Sequence, residues 1–153
     1  MRVVTLILCV ALAAALASCG GKPSCDMDAQ GRRFSTADAK DCGRATPTAT
    51  DTVNACVKAA LASGVAFRAR YDLPGLDSSP AVVFLRDGHG KMTVMSWDSD
   101  PGGGSQDGAR LVLWSCDSLS LEPSTDGTGV QRYECSKSTP LQVVCDRGVV
   151  VRP

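Results

Sequence analysis

Three aspartates stand within ten residues in the stretch WDSDPGGGSQDG, 97 to 108, and aspartates at such spacing can aim oxygens at a hard cation. Asp98, Asp100 and Asp107 are the candidate calcium ligands, with glycines that would let carbonyls turn inward. An EF-hand loop opening at Asp98 needs an oxygen-bearing side chain at its fifth position and Glu at its twelfth. Those positions hold Gly102 and Ala109, so the reading favours a turn-capping loop and no resident metal. A phosphate cradle fails as well. Its glycines should be followed by Lys, a hydroxyl and a helix, but Gln106 and Asp107 follow here.

Acid–base and nucleophilic chemistry have few bearers. His89 is the only histidine and lies in Asp87-Gly-His-Gly90, a hairpin-turn sequence. Any Ser-His-Asp site must use it. Gly103-Gly-Ser-Gln-Asp107 misses the last glycine of the nucleophile elbow. Asp72, Asp77, Asp98 and Asp100 form a carboxylate pair for hydrolysis only if folding gathers them. No catalytic residue and no cofactor is assigned, and a small hydrolase is the alternative to a non-enzymatic module.

Cysteines carry the clearest signal. Cys25, Cys42, Cys56, Cys116, Cys135 and Cys145 are separated by 17, 14, 60, 19 and 10 residues, without C-x-x-C or a histidine partner for zinc. Six is an even number, as three disulfides require, and 15 pairings are open. Cys42–Cys56 is the preferred local bridge, because it would pin the preceding segment to a helix.

Cys9 and Cys19 stand apart. Met1 and Arg2 give a positive start, and Val3 to Ala17 carries no charge. That run is shorter than the ~20 residues of a membrane span and fits an export signal. Ala15-Leu16-Ala17 would suit ordinary signal cleavage. Leu16-Ala17-Ser18-Cys19 resembles the lipobox of bacterial lipoproteins. The resemblance implies a diacylglyceryl group on Cys19 and cleavage before it. Gly20 is not the aspartate that often retains such proteins in the inner membrane, so outer-membrane placement in the cell envelope is favoured. Cys9 leaves with the signal, and the even set of six remains for an oxidising compartment.

Charge narrows the partners. Of the 16 Lys+Arg only Arg2 is lost with the signal, leaving 15 against 16 Asp+Glu, net −1. Such balance gives no electrostatic case for nucleic acid. The expected partners are a membrane, through the lipid, and an envelope protein.

These residues need elements to hold them. Residues 1–18 read as signal peptide, 19–49 as a polar tether, and 50–153 as an α+β domain. Thr50 to Ser63 predicts a helix, with Val53, Cys56, Val57, Ala60 and Leu61 on one stripe and Gly64 as its stop. Thr50 is the expected N-cap. The period then changes to two over 65–71, where Val65, Phe67, Ala69 and Tyr71 alternate with Ala66, Arg68 and Arg70; 81–86, 91–97, 110–116 and 130–135 read as further strands, with 141–145 and 149–151 as a sixth or a bent end. The expected fold is one N-terminal helix packed on an antiparallel sheet of five or six strands, stapled by disulfides.

Two further likenesses concern function. Gln142-Val-Val-Cys-Asp146 is similar to the Q-x-V-x-G segment of cystatin-type inhibitors, apart from its last residue and its place near the chain's end. The span 41–145 resembles a group of uncharacterised small bacterial lipoproteins. The likeness rests on Asp41-Cys-Gly43, Ala55-Cys-Val57 with Gly64 and Phe67, Tyr71 with Gly75 and Asp77-Ser78, Trp97-Asp-Ser-Asp-Pro-Gly-Gly103 and the three later cysteines. It implies anchoring and cysteine pairing, and no activity.

Overall fold

The computed structural model describes residues 25–103, 108–124 and 129–151. The lipobox, Cys19, residues 20–24 and Asp107 lie outside them. Two helices and nine strands occur among the described residues: α1 Met27–Phe34, β1 Lys40–Ala45, α2 Asp51–Ser63, β2 Phe67–Asp72, β3 Ala81–Arg86, β4 Met92–Asp98, β5 Arg110–Cys116, β6 Leu119–Pro123, β7 Gln131–Cys135, β8 Ser138–Asp146 and β9 Val149–Val150. Seven strands form one sheet in the order β1-β2-β3-β4-β5-β8-β9, and β6 and β7 form a separate two-stranded sheet. The fold is α+β.

The helix α2 forms as its stripe predicts. Val53, Val57 and Ala60 are buried against Phe67, Ala69, Tyr71 and Phe84. Its end is a Schellman turn: Gly64 takes φ 72°, its N–H reaches Leu61 O, and Val65 N–H reaches Ala60 O. Its start differs from expectation. Thr50 makes no side-chain cap; its hydroxyl instead donates 2.7 Å to the Gln131 carbonyl at the head of β7.

Three corrections follow to the expected architecture. Residues 27–34 and 40–45, assigned to a tether, fold into α1 and β1, so the folded unit begins well before residue 50. The sheet is mixed, because β1 pairs parallel to β2 with α2 as the crossover. The strand near 130–135 leaves the main sheet and pairs with β6.

The helix α1 has a small apolar face, since Met27 is buried and Phe34 packs at the edge of the same core. Asp26 caps its start, accepting from Ala29 N–H at 2.7 Å. An ion pair adds to this attachment, and three more brace β1 and β2. Arg70 on β2 reaches Asp28 of α1 at 2.9 Å and Asp72 at 2.8 Å, Arg44 on β1 also holds Asp72, and Arg68 reaches Asp41 at 2.7 Å.

Both sheet faces are therefore packed. On one, α2 covers β1 to β3; on the other, Met27 of α1 sits in a core with Val83, Leu85, Met95, Leu111, Leu113 and Val144. Burial on two faces explains why AVVFLR in β3 reads as a nearly continuous apolar run. Three disulfides close the fold: Cys25–Cys145 ties the segment before α1 to β8, Cys42–Cys56 ties β1 to α2, and Cys116–Cys135 ties β5 to β7. Their Cα–Cα distances are 5.8, 5.5 and 5.7 Å. The local bridge expected from the sequence is among them.

Candidate functional site

α2 stops short of the far strands, so part of its sheet face stays uncovered. Strand register places Val82, Ser96 and Val112 in one cross-strand row, with Val143 opposite Val112. Trp114 lies opposite Val94 and Pro140. All of these except Val94 floor a cleft of about 580 Å³, walled at one end by Leu73 and Pro80. A second cleft of about 280 Å³ shares Leu73, Val82, Ser96 and Trp114 and continues beneath β7, beside Arg132, Glu134 and Cys135. Clefts of a few hundred Å³ with a mostly apolar lining and a few polar groups are typical of small-ligand sites.

Each wall has a physical cause. The Trp114 indole Nε1–H donates 2.8 Å to Ser96 Oγ, which fixes the ring across β5 and β4. The Cys116–Cys135 bridge ties the β6–β7 hairpin to β5, and a 2.8 Å Ser118–Ser136 hydroxyl contact closes the hairpin at its base. Leu73 N–H donates 2.9 Å to Pro80 O and closes the loop 73–80 at its base. Gly75 is required inside that loop, because a Cβ there would stand 2.2 Å from Ser78 O. Ser79 N–H donates 2.8 Å to Ser99 Oγ, joining this loop to the one after β4. At the other end, Arg132 and Glu134 pair at 3.3 Å.

A polar cleft of about 190 Å³ lies on the opposite face, among Asp28, Arg32, Asp41, Arg44, Arg68 and Arg70. Arg44, Arg68 and Arg70 are already held by carboxylates there. The hydrogen bond from Arg68 holds the Asp41 carboxyl below the usual range, against the opposing effect of partial burial. This cleft reads as the seam that fastens α1 and β1.

The residues singled out from the sequence do not converge. His89 is exposed in the β3–β4 turn, where its N–H and that of Lys91 both donate to Asp87 Oδ1 at 2.9 Å. Those backbone donors, Lys91 first, hold the Asp87 carboxyl below its ordinary range. Asp98 ends β4, so His89 and Asp98 stand a strand length apart, about 20 Å. Asp98 Oδ1 accepts from Asp100 N–H at 3.0 Å, the turn-capping role expected of it. Asp107 lies outside the described residues, and among those described no three His, Cys, Asp or Glu side chains gather to hold a metal. Asp72 is engaged by two arginines. Gln142 to Asp146 lies within β8, with Cys145 disulfide-bonded, so this segment is a paired strand and not a free inhibitory loop. Among the described residues, no helix is long and apolar enough to cross a membrane.

Sequence reasoning missed the Trp114 cleft. The available signal was RLVLW in β5, where apolar residues occupy both faces although only one face lies under a complete cover. No known protein family, curated protein or solved structure gives a match to this chain.

Proposed function

We propose that this chain is an exported lipoprotein, anchored through a diacylglyceryl group on Cys19, whose folded domain is a non-enzymatic binding module of the cell envelope. The outer membrane is its favoured site, from Gly20 after Cys19. Three disulfides support export to an oxidising compartment. The observation that carries the binding role is the apolar cleft around Trp114, walled by two loops and a hairpin that covalent and hydrogen-bonded ties hold in place. Its lining suits an apolar ligand or an apolar segment of an envelope partner. A hydrolase is less well supported, because His89 stands far from the aspartates that would assist it.

N-phenyl-1-naphthylamine, a neutral apolar fluorophore, tests the cleft. The folded domain should bind it saturably with a rise in emission. Val112→Asp should abolish that rise while leaving the three disulfides and the unfolding midpoint close to those of the parent. Equal binding by the parent and Val112→Asp would contradict the assignment.

A further inference from the structure

The chain between Cys19 and the folded unit is short. Cys25 is bridged to Cys145, which leaves only residues 20–24 between the lipidated cysteine and the staple. Six residue steps span at most about 20 Å, whatever conformation they take. The residues read as a tether from the sequence provide no further reach, because 27–34 and 40–45 are built into the domain. A domain so held cannot extend away from its bilayer; it rests beside it.

One end of the sheet is then turned towards the lipid. Ala81, Trp97, Leu111 and Cys145 are successive cross-strand partners, so they form one row at the end that carries the staple. The loop 73–80 enters this row at Ala81, and the turn 147–148 leaves it after β8. His89 and the Cys116–Cys135 bridge lie at the opposite end. Three of the large apolar side chains that the fold leaves exposed belong to the staple end: Leu76 is fully exposed (105%), Val149 is 67% exposed and Val151 is 40% exposed. The larger cleft also runs to this end, where Pro80, Asp98, Pro101 and Arg110 line it.

We infer that the staple end, with Leu76 and Val149 foremost, is a surface that contacts the bilayer, and that the Trp114 cleft opens towards the lipid. The inference rests on lipid attachment at Cys19. Its occupant is a lipid surface rather than a protein, on two grounds: the short reach from the anchor and the apolar side chains at the same end. Charge does not drive the contact, because this end carries both signs: Arg110 lies opposite Asp98, Arg147 follows Asp146, and Asp77 and Asp100 stand in the two loops. A weak intrinsic affinity suffices, since a short tether holds the surface at an effective concentration in the millimolar range.

The test uses the full lipidated protein in vesicles of zwitterionic phosphatidylcholine. Leu76→Cys, Val149→Cys and His89→Cys are labelled one at a time with an environment-sensitive fluorophore, after the native disulfides are confirmed. Labels at 76 and 149 should shift to the blue and lose most of their emission to a nitroxide carried at shallow depth on the lipid. The label at 89 should keep the emission it has in water. Anionic phosphatidylglycerol should not strengthen the effect. Protein that floats with the vesicles while its labels at 76 and 149 behave like that at 89 would overturn the contact and leave anchoring intact, as would a contact that appears only with anionic lipid. Protein that fails to float would overturn the anchor, and the contact with it.

Discussion

The Tyr71 hydroxyl donates a 2.8 Å hydrogen bond to Asn54 Oδ1, joining the far end of β2 to the buried side of α2. The Asn54 amide in turn donates 2.8 Å to the Gln131 carbonyl and 3.2 Å to Thr50 Oγ1. One side chain therefore links helix, sheet and hairpin. Asn54→Ala leaves the Tyr71 hydroxyl buried without its acceptor and removes one of the two donors to Gln131. It should cost about 2–3 kcal/mol, the upper part of the range for orphaned buried polar groups. Tyr71→Phe breaks one of the three hydrogen bonds of the Asn54 side chain and leaves its Oδ1 without that donor, so it should cost less, about 1–2 kcal/mol. Urea unfolding of both variants checks the order, and a larger loss in Tyr71→Phe would contradict it.

The same tyrosine predicts an alkaline limit. Burial, reinforced by the nearby Tyr133, pushes the Tyr71 phenol above its ordinary value, and burial raises Tyr133 too. In the unfolded chain both phenols ionise near pH 10. The neutral forms favoured by the fold contribute fully below that pH. Their contribution is lost as pH rises through the raised folded values, because the unfolded state releases its protons first. Denaturation midpoints should fall above about pH 10, and more gently in Tyr71→Phe. An unchanged slope in that variant would contradict the assignment to Tyr71.

The bridges should differ in weight. Cys25–Cys145 closes a separation of 120 residues and Cys42–Cys56 one of 14. On loop entropy alone, removing the first costs about 4–5 kcal/mol and the second about 3 kcal/mol. Paired Cys→Ala variants of each bridge, compared by urea midpoint, should follow that order. Peptide mapping without reduction should find these two pairs and Cys116–Cys135, with no alkylated thiol among the six.

Some of this was legible in the residues. TDTVNACVKAALASG carries both the stripe and the stop of α2, and the strands expected at 81–86, 91–97 and 110–116 form within one residue of those bounds. β1 was hidden because its burial does not alternate. Only Cys42 and Ala45 are buried, and Gly43 at φ 84° lies within the register shift between Asp41 and Arg44. α1 was hidden because it is only eight residues long and docks through few side chains: Met27 and Phe34 supply its apolar contacts, and its ion pair, Asp28 with Arg70, leaves no periodic trace. Parallel pairing is invisible to period two. The cleft was hidden for a different reason: it depends on where α2 ends over the sheet, a matter of packing. The aspartate-rich loop drew attention by composition, yet Asp98 and Asp100 serve a turn.

The central claim is the lipid anchor at Cys19, because residence, orientation and the bilayer contact all depend on it. Intact mass spectrometry of the membrane-extracted protein, compared with membrane fractionation of Cys19→Ala, tests it most directly. The account predicts a mature chain beginning at Cys19 and carrying a diacylglyceryl group, with Cys19→Ala released from the membrane, since no acyl chain would then hold it. A mature chain that begins elsewhere without lipid, or a Cys19→Ala protein that stays in the membrane fraction, would contradict it.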